Sequence, residues 1–90
     1  MKKYVIERNI PKVHCMGPEE LKGAAATSND ALAKLSPKVQ WLHSYVTPDK
    51  TFCIYLAEDE DAVRKHAELS GFPANVISEV TTTIDPSTAG

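Results

Sequence analysis

Glycine, cysteine and long apolar runs are all scarce in this 90-residue sequence, and each scarcity removes a class of function. The four glycines, at positions 17, 23, 71 and 90, form no phosphate-cradling loop, which argues against nucleotide-dependent chemistry. Only two cysteines are present, Cys15 and Cys53, too far apart for a paired-cysteine zinc spacing. No stretch approaches the ~18 apolar residues of a membrane span. The start has Lys2 and Lys3, but Glu7, Arg8 and Asn9 interrupt any apolar leader, so no signal peptide is expected. Without one, the two cysteines are expected as free thiols and the cytoplasm as the location. HExxH and GxSxG motifs are missing as well.

Charge of one sign is also lacking. Ten Lys and Arg residues stand against twelve Asp and Glu, a formal net charge of -2. The cations are scattered among carboxylates rather than gathered in a basic patch, so no nucleic-acid partner is expected. The one charge run, Glu58-Asp59-Glu60-Asp61, suits a helix N-terminus, where carboxylates complement the positive end of the dipole.

What is present reads as one domain over residues 1–85, with a flexible tail at 86–90. Tyr4-Val5-Ile6-Glu7-Arg8 is a first strand closed by Pro11. Pro18-Glu19-Glu20 opens a helix whose inner stripe of Leu21, Ala24, Ala25, Ser28, Leu32 and Leu35 is rich in small residues. Ser36-Pro37 stops it. Val39–Val46 and Thr51–Ala57 read as an antiparallel hairpin across Thr47-Pro48-Asp49-Lys50. Asp59–Leu69 is a second helix, with Gly71 as left-handed cap and Pro73 beyond it. Val76–Ile84 is the last strand, with room for an extra short strand at the C-terminus. The fold class is therefore α+β, a ferredoxin-like βαββαβ sandwich with two helices on one face of a four-stranded antiparallel sheet.

Strand alternation suggests where chemistry sits. If the helices cover the more apolar face, Leu42 and Val46 join Phe52, Ile54 and Leu56 beneath them. The open face then collects Trp41, His43, Tyr45, Cys53 and Tyr55, a surface suited to a homodimer interface or a ligand pocket. Placing His43 beside Cys53 requires an odd-numbered or bulged turn near Pro48-Asp49. A regular four-residue loop would instead pair Tyr45 with Phe52 and His43 with Ile54.

The candidate donors follow. His43 could serve as ligand or general base, and His66 shares the inward stripe of the second helix with Val63 and Leu69. Cys53 reads either as a small buried hydrophobe or as a sulfur donor. His14-Cys15-Met16 sets three soft or borderline donors before the first helix, types suited to nickel, copper(I) or zinc.

The string Trp41-Leu42-His43-Ser44-Tyr45-Val46, with Asp49-Lys50, Cys53, Tyr55, Arg64, His66-Ala67 and Gly71-Phe72-Pro73, resembles a family of short bacterial nickel-binding proteins once classed as a domain of unknown function. The resemblance runs from Tyr4 to about Pro86. It implies a ferredoxin-like homodimer that holds nickel at the dimer surface for sequestration or detoxification. His43 and His66 match its pattern, whereas the His14-Cys15-Met16 loop departs from it. The metal-ligand candidates are thus His43, His66, Cys53, His14 and Cys15, with nickel as the expected cofactor and no catalysis as the leading expectation. The alternative is a cofactor-independent isomerase, cyclase or oxygenase of the dimeric α+β-barrel kind. In it His43 would be the base, Tyr45 or Tyr55 would orient substrate, and Glu7 would assist, all on the open sheet face. A small-ligand binding module without chemistry is the third reading.

Overall fold

The computed structural model describes residues 1–90 and places eight elements along the chain. Strand β1 (Lys2–Asn9) leads through a short 3-10 turn (Val13–Cys15) into helix α1 (Pro18–Leu35). Strands β2 (Val39–Val46) and β3 (Lys50–Ala57) form the hairpin, followed by helix α2 (Glu60–Ser70), strand β4 (Val76–Val80) and a final 3-10 turn (Pro86–Ala89). The sheet order is β2-β3-β1-β4 with antiparallel pairings throughout, and both helices lie on one face. This is the ferredoxin-like sandwich. No helix is long and apolar enough to cross a membrane.

Local chemistry explains the element ends. Pro18 opens α1, where its missing N–H costs nothing, and Glu19 and Glu20 occupy the first turn. Asp59 caps α2 by accepting from the Ala62 N–H at 2.9 Å, and Glu60 pairs with Arg64 one turn on. The acidic run is therefore spent on starting a helix. Gly71, at φ 77°, closes α2 in the left-handed conformation, and its N–H reaches the Ala67 carbonyl. Strand β4 ends at Val80, short of the expected Ile84, because Val80 already pairs with Lys3 near the start of β1. Beyond it the ladder has no partner strand. Asp85 starts the terminal turn, whose hydrogen bonds stay within residues 85–90.

The core lies between the sheet and the helices and contains Tyr4, Ile6, Val39, Cys53, Tyr55, Ala57, Ala62 and Val63. The expected facing is overturned here. Four residues, Thr47-Pro48-Asp49-Lys50, lie between the paired Val46 and Thr51, an even number that also pairs Tyr45 with Phe52. Thr51, Cys53, Tyr55 and Ala57 consequently point under the helices, and Phe52, Ile54 and Leu56 point to the open face. A bulge at Leu42 shifts the phase once more, so Trp41 and Ser44 both turn inward and the Trp41 indole N–H donates to Ser44 Oγ at 3.0 Å.

Helix α1 rationalises this choice. Its inner residues Ala24, Ala25 and Ser28 are small, and they face long side chains from the sheet, Arg8 and Tyr55. Small residues on the helix leave room for the large side chains of the sheet, and the fit is incomplete, leaving a cavity between them.

Candidate functional site

The five expected donors do not converge. His43 pairs with Ile54, and Ser44 pairs with Cys53, so the imidazole and the Cys53 thiol project from opposite sides of the sheet. His43 is exposed on the open face, sharing a 3.1 Å hydrogen bond between its Nε2 and Tyr45 Oη. Cys53 is buried and lies 3.5 Å from Thr51 Oγ1. Tyr55 also lies under the helices, away from His43, Tyr45 and Glu7, which divides the expected open-face catalytic set. Glu7 itself pairs with Lys50 at 3.5 Å. No group of three or more His, Cys, Asp or Glu side chains comes together in a single chain.

His66 is fully buried between α1, α2 and the sheet. Its Nε2 lies 3.2 Å from Ser28 Oγ and 3.4 Å from the Ser28 carbonyl, and its ring lies 5.1 Å from that of Tyr55. Nδ1 is buried with no partner. Burial pushes the His66 pKa below its ordinary value, the nearby Arg8 charge adds to that, and the Ser28 backbone contact opposes it. A neutral imidazole packed in this way is a structural element rather than an accessible ligand.

Two donors do meet, at the turn before α1. His14 Nδ1 lies 2.7 Å from the Pro48 carbonyl, and its Nε2 lies 3.5 Å from Cys15 Sγ. A carbonyl only accepts, so Nδ1 carries the proton and the lone pair of the neutral ring sits on Nε2, toward the sulfur. The turn is moored to the β2–β3 hairpin by two further bonds, from Ile10 N–H to the Asp49 carbonyl and from Lys12 N–H to Asp49 Oδ1. Lys12 is left-handed at φ 60°, a conformation that costs a non-glycine residue about 1–2 kcal/mol and that the Asp49 contacts offset. Both side chains of the pair are exposed, while Met16 turns away into the interior.

That interior holds what the strand phasing had hidden. A cavity of about 430 Å³ opens between α1 and the sheet, lined chiefly by apolar side chains such as Val13, Met16, Leu21 and Trp41. Its polar groups include Arg8 and Tyr55. Arg8 is only 2% exposed. Its Nη1 donates to the Pro73 carbonyl at 2.6 Å and its Nη2 to Tyr55 Oη at 3.5 Å. The guanidinium carbon lies 5.8 Å from the Phe72 ring centre and 6.0 Å from that of Tyr55. None of the chain's ion pairs involves it. Burial raises the Tyr55 pKa, with the Arg8 charge pulling partly against it, so the phenol stays protonated. Arg8 escaped the sequence reading, although it falls in phase with Tyr4 and Ile6 on β1.

A family model described as nickel responsive protein SCO4226-like matches residues 4–80. The crystal structure of SCO4226 from Streptomyces coelicolor A3(2) superposes with a TM-score of 0.77 at 15% identity, covering 91% of this chain and 99% of that one. At that identity the likeness speaks for the fold alone. No curated protein sequence matches.

Proposed function

We propose that this chain, which belongs to the SCO4226-like family of nickel-responsive proteins, binds divalent nickel or a similar late transition ion through His14 and Cys15. The observation that carries this reading is the contact of His14 Nε2 with Cys15 Sγ at 3.5 Å, with Nδ1 tied to the Pro48 carbonyl. Metal bonds of ~2.0–2.1 Å to nitrogen and ~2.3 Å to sulfur, at angles between square and tetrahedral, place two such donors roughly 3.1–3.6 Å apart. The spacing fits, and an imidazole with a thiol suits nickel, zinc or copper(I). The number of donors does not complete a site, because a single chain brings two. The pair is therefore a half-site, and its remaining positions are filled from outside the chain by a second copy, a small ligand or water. Binding would take Cys15 as thiolate and release a proton, so affinity rises with pH. Sequestration is the role such a site serves, with no reaction attached.

A homodimer through the open sheet face belongs to the same reading. Val5, Phe52, Ile54 and Leu56 are half-buried there in the single chain, and nothing of the chain covers them. An isolated domain of 90 residues gains little from one core, and pairing two such faces would bury a second. Dimerisation would explain why β3 turns Phe52, Ile54 and Leu56 to the open face and Thr51, Cys53, Tyr55 and Ala57 to the covered one.

Calorimetric titration of untagged protein with nickel, zinc and cobalt tests the proposal. Saturable nickel binding is expected, at one ion per two chains where a second copy completes the site and one per chain where a small ligand or water does, weakened at least tenfold by His14→Ala and by Cys15→Ser. Undiminished binding in both variants would remove it.

A further inference from the structure

We propose that the cavity between α1 and the sheet binds a small monocarboxylate with an apolar body, its carboxylate held by Arg8. The site is separate from the His14–Cys15 pair.

The cavity wall contains a charge without an anionic partner. Arg8 is 2% exposed, and no carboxylate in the chain pairs with it. Two neutral acceptors, the Pro73 carbonyl and Tyr55 Oη, engage two of the five guanidinium N–H donors. Buried charges in folded proteins are ordinarily paired or hydrogen-bonded in full. A guanidinium is planar, permanently charged and matched to a carboxylate in a two-pronged geometry. An arginine left with spare donors against an apolar cavity is therefore short of an anion.

Size and charge narrow the class. A volume of about 430 Å³ falls within the range of small-molecule pockets. Arg8 is the only charged residue in the lining, and Tyr55 beside it stays a neutral phenol. One positive charge balances one negative charge, which favours a carboxylate over a phosphate dianion. The apolar walls exclude a small hydrophilic anion and ask for a hydrocarbon or aromatic body. Phe72 and Tyr55 flank the guanidinium and Pro73 accepts from it, fixing its plane and so the direction of approach.

Trp41, the single tryptophan, lines the cavity and supplies the readout. Octanoate and octanamide share one body and differ in charge, so their titration against Trp41 fluorescence, checked by calorimetry, isolates the Arg8 contribution. Octanoate is expected to saturate the wild-type chain about tenfold or more tightly than octanamide. Arg8→Met should bring the two within about twofold of each other. Ala25→Trp, which fills the cavity while keeping Arg8, should lose both. Equal binding of acid and amide by the wild type, or no saturable octanoate binding at millimolar concentration, would overturn the proposal. Those wild-type outcomes decide the matter even where Arg8→Met fails to fold. Nickel titration of the same variants leaves the metal reading independent, because neither substitution touches His14 or Cys15.

Discussion

Acidification should weaken this fold through one imidazole. His66 is fully buried, its Nδ1 has no partner, and burial and the Arg8 charge hold its folded pKa below the ordinary histidine value. The groups facing it are Arg8, Tyr55 and Ser28, and none takes up a proton near neutrality. The unfolded chain gains a proton on this side chain below about pH 6.5, whereas the folded chain resists until the pH falls through its lower value. Stability is thus fully present above the unfolded pKa and is lost as the pH drops toward the folded one. The slope is at most about 1.4 kcal/mol per pH unit. For a domain of this size about 1 kcal/mol shifts Tm by ~4–8 °C, so the steepest fall is roughly 6–11 °C per unit. Asp85, whose pKa is lowered by the Ser87 contacts, acts below its ordinary value of 3.8 and leaves this window clear. Thermal melts followed by circular dichroism from about pH 7.5 to about pH 5, on wild type and His66→Gln, read the effect. A wild-type slope retained in full by His66→Gln would refute the assignment.

The two thiols should behave as different species: Cys15, exposed, reacts with a thiol reagent in the native protein, and Cys53 reacts only on unfolding. Counting modified thiols with and without denaturant checks this. Ile6→Ala, at a position with no exposed surface, should cost about 2–5 kcal/mol in denaturant unfolding. If the open face pairs two chains as proposed, the parent chain should sediment as a dimer and Ile54→Asp as a monomer, with the far-ultraviolet dichroism intact.

Most of the fold was legible because its punctuation is chemical. Pro18, Ser36-Pro37, Asp59 and Gly71 bound their helices for reasons that hold in any context, and β2 runs over Val39–Val46 as its pattern indicates. The facing of the sheet was not legible from hydrophobicity, since Phe52, Ile54 and Leu56 outrank Thr51, Cys53, Tyr55 and Ala57 yet lie on the open side. Turn length decided it: the even number of residues between Val46 and Thr51 sets the parity of the hairpin, and the Leu42 bulge returns Trp41 to the core. Arg8 was invisible for a related reason. A cation in an exposed-looking strand end reads as solvated until Tyr4, Ile6 and Arg8 are seen to share the covered face. The His14–Cys15 pair was visible as composition, but its mooring to Pro48 and Asp49 depends on a contact some 34 residues away.

Absorption spectroscopy under nickel titration tests the metal assignment most directly, because thiolate ligation of nickel produces charge-transfer bands that nitrogen and oxygen donors alone do not. Those bands are expected in the wild type and in Cys53→Ser, and are expected to disappear in Cys15→Ser. Bands that survive in Cys15→Ser and vanish in Cys53→Ser would place the metal under the helices and contradict the assignment.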